Sequence, residues 1–113
     1  MNQFRYYSIQ QLVYLYLMSS YLYYICDKSY MLDEEFDELC RYLLDNFEDV
    51  KKVRLSGLLS EDALKSGTGY QLKESDYPKS LRSVAHYNYS IIEKKRETWE
   101  MLMLPQFAER FVS

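Results

Sequence analysis

A chain of 113 residues, 48% hydrophobic and 27% charged, has the size of one domain and enough apolar surface for a core. Three glycines and two prolines are too few for the turns of an all-β fold, so the composition favours helices. The net charge of −3 leaves no polybasic footprint for nucleic acid, because the densest basic segment, KKR at 94–96, is flanked by Glu93 and Glu97.

The first element is announced by YYSIQQLVYLYLMSSYLYYIC, residues 6–26, which holds no charge and seven tyrosines. It has the length of a membrane span but not the composition. Ser8, Gln10, Gln11, Ser19 and Ser20 would each need a partner in hydrocarbon, and Tyr14 and Tyr16 would sit at the bilayer centre rather than at its interface. With Arg5 as the only preceding positive side chain and no small-x-small site after it, the run also makes a poor signal peptide. It is expected to be a helix over about 9–25. Ile9, Leu12, Val13, Tyr16 and Leu17 form one stripe, with Leu15, Leu22 and Ile25 on the other side. A helix apolar all round is hard to cover within so small a chain. The expectation is therefore a protein partner or a homodimer that meets it through Tyr14, Tyr16 and Tyr21.

The second helix has Phe36, Leu39, Cys40, Leu43, Leu44 and Phe47 at helical spacing. Asp33 is a good N-cap, followed by acids in the positive first turn. After a short basic segment with Val53, Leu55 and Leu58, Ser60 can cap a short helix that ends at Gly67. The stretch 67–78 is loop-like. Its two nearby glycines fit neither GxxxxGK[ST] nor GxGxxG, so turn chemistry explains them. A last long helix follows Pro78, with Leu81, Val84, Ile91, Ile92 and Trp99 on its spacing and Pro105 as its stop. Trp99, Met101 and Met103 look like packing residues. The fold expected is all-α: one domain over 1–113, a helical hairpin at its start, then a loop and a long C-terminal helix.

Two cysteines make no disulfide framework, and Cys26 and Cys40 lie among apolar neighbours, as reduced core residues of a cytoplasmic protein would. His86 is the only histidine, which leaves no zinc constellation. A nucleophilic pair of Cys40 with His86 is conceivable, but the sequence supplies no geometry for it. Neither a serine-hydrolase elbow nor a kinase signature occurs.

One constellation stands apart, YYICDKSYMLDEEFDELCRYL at 23–43. Tyr23 and Tyr24 form an aromatic pair, Asp27 follows three residues on, and Asp33, Glu35, Phe36 and Asp37 make a DxEFD run. This pattern resembles the N-terminal Ia domain of bacterial NAD-dependent DNA ligases, whose pair is Tyr-Tyr or Tyr-His and whose second motif is Asp-x-Glu-Tyr-Asp. The likeness covers about residues 8–48; 49–113 is a divergent helical extension. The resemblance implies a small helical unit that closes over the nicotinamide mononucleotide half of NAD. Tyr23, Tyr24, Asp33, Phe36 and Asp37 would then be the ligand-binding residues. A cationic nicotinamide ring suits aromatic faces with carboxylates beside them. The departures are Ser29 in a loop that usually carries proline, Phe36 for tyrosine, Tyr24 where many ligases have histidine, and an uncharged first helix. The KxDG motif that holds the adenylated lysine does not occur, so the chain is not expected to be an enzyme on its own.

Each of these residues also has an ordinary structural explanation. Acids at 33–38 suit a helix N-terminus without any ligand, Phe36 can be core, and Tyr23 and Tyr24 can be core or interface. Two further functions stay open. One is a small phage-type interaction or inhibitor protein that reuses the Ia hairpin and binds a host protein through the tyrosine-rich helix. The other is an enzyme that uses Asp33 and Asp37, four apart on one helix face, as acid and base.

Overall fold

The computed structural model describes residues 3–67, 72–95 and 99. Those residues form helices and turns with no strand among them, as the composition requires. In order they are α1 (Ile9–Ser20), α2 (Asp33–Asp45), α3 (Phe47–Val50), α4 (Glu61–Ser66) and α5 (Lys79–Lys95), with short 3-10 turns at Gln3–Tyr6, Ser56–Leu58 and Glu74–Asp76.

α1 is the axis of the molecule. A reciprocal cap starts it. Ser8 Oγ accepts from the Gln11 amide at 3.1 Å, and the Gln11 side chain accepts from the Ser8 amide at 2.9 Å. Every residue from Leu12 to Ser20 is buried. α2, α3 and α5 pack around it, and Phe4 of the first turn joins the same core. This corrects the expectation of a partner surface on the first helix. Tyr14, Tyr16 and Tyr21 are buried inside the chain's own core and present no face to a second protein. Coverage on every side is possible because the molecule is not a simple hairpin: α5 returns across the side of α1 that α2 leaves open. Ser20 is accommodated at the centre by donating to the Leu17 carbonyl (3.2 Å) and pairing with the Tyr77 hydroxyl (3.0 Å).

The first helix does not continue as an α-helix to residue 25. After Ser20 the chain makes one π turn, Tyr21–Ile25, closed by the Cys26 amide bonding to the Tyr21 carbonyl at 3.2 Å. The extra residue rotates everything after it by about 100° relative to an α continuation. Asp27 then takes a left-handed conformation (φ 58°), and the Lys28 amide closes on the Leu22 carbonyl at 2.7 Å.

α2 begins one residue earlier in its capping than the sequence suggests. Asp33 is the first helical residue, not the N-cap. The Leu32 amide is satisfied by Glu35 Oε1 at 2.9 Å, and the same oxygen accepts from Trp99 Nε1 at 3.1 Å. Trp99 is buried and stacks on Phe4 (5.8 Å, 24°), so it ties the two ends of the described chain to the start of α2. α2 buries Leu39, Cys40 and Leu43 as its spacing demands, then breaks at Asn46 before Phe47. α4 follows the sequence expectation: Ser60 Oγ accepts from the Ala63 amide at 3.1 Å, and Gly67 at φ 67° is the C-cap. α5 follows Pro78 and runs to Lys95; Pro105, Met101 and Met103 lie outside the described residues. Cys40 is buried as expected, whereas Cys26 is only partly buried, because the π turn carries it out of the core. No helix among the described residues is long and apolar enough to cross a membrane.

Candidate functional site

The end of α1, the π turn, the loop before α2, the first turn and a half of α2 and the cap of α4 meet around one open cavity of about 300 Å³. Tyr23, Tyr24, Asp33, Phe36 and Asp37 all line it. These are the five residues singled out in the sequence, and they arrive from two elements. The π turn supplies the tyrosine pair, whose rings meet edge to face at 4.8 Å and 85°. Tyr23 is half exposed (50%) and Tyr24 is intermediate, so the pair forms a lip rather than a core contact. From α2, Asp33 and Asp37 lie one turn apart, with Phe36 between them facing inward.

Phe36 has two jobs. Its ring stacks on buried Tyr16 at 5.5 Å and 16°, which fixes it, and it also forms cavity wall. Packing and ring recognition are therefore compatible at this residue. Tyr16 itself is part of the support: burial, more than the neighbouring groups, pushes its hydroxyl well above the ordinary tyrosine range, so it stays neutral. Asp37 faces α4. Its Oδ1 lies 2.5 Å from where a Cβ on Gly67 would stand, so glycine is needed there both for its left-handed backbone and for that approach. On its other side Asp37 makes a loose, exposed contact with Arg41 at 3.9 Å.

The sequence did not point to Ser19, Tyr30, Met31, Glu34 or Gly67 as members of the site, yet all five line the cavity. Ser19 and Met31 join two of its walls, with Ser19 Oγ donating to the Met31 sulfur at 3.2 Å. Tyr30 is buried, and its hydroxyl lies beside Asn88 of α5 but short of hydrogen-bond geometry, as does Asn88 Oδ1. Burial drives the Tyr30 hydroxyl far above its usual titration range. In the sequence Gly67 carried a signal as a helix cap and Glu34 as a first-turn acid; Ser19 comes from α1, and Tyr30 and Met31 enter through the loop before α2.

The lining is thus aromatic on two sides and carries three carboxylates, Asp33, Glu34 and Asp37, with no lysine, arginine or histidine among the described lining residues. A cavity of this size can take a ring with its sugar. Its charge and its π faces suit a cationic heteroaromatic group over an anionic one. No group of three or more metal-ligating side chains occurs among the described residues.

The pair of Cys40 with His86 does not form. Cys40 is buried in α2, and burial, assisted by Asp37, pushes its thiol up to about 12. His86 on α5 meets Cys26 and Tyr21 instead. No family model, curated protein or solved structure matches the chain.

Proposed function

We propose that the cavity between the π turn and α2 binds the nicotinamide mononucleotide half of NAD, as the resemblance to the Ia domain of NAD-dependent DNA ligases implies. One observation carries this. The five residues taken from that resemblance, on two separate elements, line a single cavity. In this arrangement the nicotinamide ring lies against Phe36 and the Tyr23–Tyr24 lip, and Asp33 and Asp37 face its positive charge and the ribose hydroxyls. On this reading the phosphate points out of the cavity, since no cation among the described lining residues neutralises it. The adenylyl half of NAD and its lysine acceptor belong outside these 113 residues, since no KxDG occurs among them. The chain is on this account a recognition module or accessory of an NAD-dependent ligase rather than a catalyst. A partner reached through the tyrosines of α1 gains no support, because those side chains are buried.

Calorimetric titration with nicotinamide mononucleotide, NAD and AMP tests the proposal. The first two should bind and AMP should not, and Asp33→Ala or Asp37→Ala should weaken binding about tenfold or more, the cost of losing a charge-assisted contact. Absence of heat with either nicotinamide nucleotide, or affinity unchanged in both variants, would remove the assignment.

A further inference from the structure

A second cluster lies outside the cavity lining and plays no part in nucleotide binding. Cys26 ends the π turn, partly buried, with its sulfur 3.9 Å from Nε2 of His86 on α5. The same nitrogen is 2.8 Å from the Tyr21 hydroxyl, and the Tyr21 and His86 rings meet edge to face at 5.4 Å and 88°. Tyr21 is itself held by Tyr77, edge to face at 5.3 Å. The imidazole is therefore oriented by a buried ring, while His86 as a residue is exposed and open to solvent. Among the described residues, the charged groups that act on Tyr21 are Arg82, on α5, and Glu74, on the 3-10 turn before it. They contact each other at 4.0 Å and pull in opposite directions on the acidity of Tyr21. Burial, then the contact with Cys26, pushes the Tyr21 hydroxyl up to about 12, so at neutral pH it keeps its proton and can donate it to a hydrogen bond. A thiol, a base within reach of it, and a hydroxyl that orients the base are the parts of an activated thiol.

We propose that Cys26 is a site of reversible S-thiolation by low-molecular-weight disulfides, with His86 as its base and Tyr21 as the residue that positions His86. In the forward step the Tyr21 hydroxyl hydrogen turns from Nε2 of His86 towards the sulfur, the freed nitrogen takes the Cys26 proton, and the new imidazolium N–H donates to the Tyr21 oxygen. The thiolate attacks one sulfur of the small disulfide; the new S–S bond forms as the old one breaks, and its electron pair leaves on the other sulfur. That departing thiolate takes the proton from the imidazolium. The products are a mixed disulfide at Cys26 and one small thiol, with the disulfide as the only oxidant. Cys40 serves as an internal control, because it is buried and its thiol is held in the protonated form.

The test is the rate of labelling of the full chain, under native conditions between pH 6 and 8, followed by intact mass and peptide mapping. Oxidised glutathione and iodoacetamide are the probes. The expected result is a single adduct at Cys26 and none at Cys40, with glutathione released by a reductant. His86→Gln should slow labelling at pH 7 by about tenfold, the lower end of what a positioned base supplies. Tyr21→Phe should give a smaller loss. Labelling of His86→Gln at the wild-type rate, with its helical circular dichroism unchanged, would overturn the proposal. Equal labelling of Cys40 in the native protein would do the same. Should His86→Gln not fold, His86→Asn takes its place: a slowed rate supports the base, and the wild-type rate overturns it.

Discussion

Two sets of tyrosines lie on one continuous stretch of chain and have opposite fates. Tyr14, Tyr16 and Tyr21 are almost wholly buried, whereas Tyr23 and Tyr24 stand at the rim of the cavity, Tyr23 half exposed. Nothing in residue type separates them. What separates them is the π turn that begins at Tyr21, which adds one residue to the helical repeat and turns the last two tyrosines off the core face. Burial makes the first set structural and pushes the hydroxyls of Tyr16 and Tyr21 up; the second set lines the cavity. The comparison teaches that the cavity begins where helical periodicity is broken.

The comparison is sharpened most strongly by alkali. Cys40, Tyr16 and Tyr30 titrate above their ordinary values of 9.0 for the thiol and 10.0 for the hydroxyls, chiefly through burial. Their folded values are raised, so the unfolded chain releases these protons first. The native state binds more protons above pH 9, and stability falls as pH rises. Each group removes about 1.4 kcal/mol per pH unit once its unfolded value is passed. Chemical denaturation at pH 7, 9 and 11 should show little change between the first two and a loss on the order of 5 kcal/mol by the third. A flat profile would mean that these side chains are not buried as described.

A smaller effect comes from truncating one residue on each side of the divide. Leu17→Ala, at the fully buried centre of α1, should cost about 3–5 kcal/mol in urea unfolding. Tyr23→Ala should cost less than about 1 kcal/mol, since the side chain is half exposed, while abolishing nicotinamide mononucleotide binding. Equal destabilisation by the two would erase the distinction between core and rim.

Smaller in stability than Leu17→Ala, but pointed in function, is Gly67→Ala. The backbone there is left-handed, and the new methyl would meet the Asp37 carboxylate. We expect a loss of about 1–2 kcal/mol. Nucleotide affinity should fall alongside it, through the displaced carboxylate, whereas Gly57→Ala, where a Cβ meets nothing within 4 Å, should leave affinity alone.

Much of this molecule is written in its sequence. The helical class, the spacing of Leu39, Cys40 and Leu43, the Ser60 and Gly67 caps and the start of α5 after Pro78 follow from local rules. These features depend on residues within a turn or two of each other, and a linear pattern records such relations. The five candidate site residues were picked out for another reason, the resemblance on which the proposed function rests. Only the tertiary structure decided whether they converge. The turn after Ser20 was not legible, because an α and a π repeat differ by one residue and apolar side chains fill both. Nor was the burial of Tyr14, Tyr16 and Tyr21. That depends on α2, α3 and α5 packing around α1 from later parts of the chain, and long-range coverage leaves no mark on the helix it covers. The meeting of Cys26 with His86, sixty residues apart, has the same origin. The sequence determined which helices form and what their faces can do; the packing of α5 against α1 decided which tyrosines became core and which cysteine gained a base.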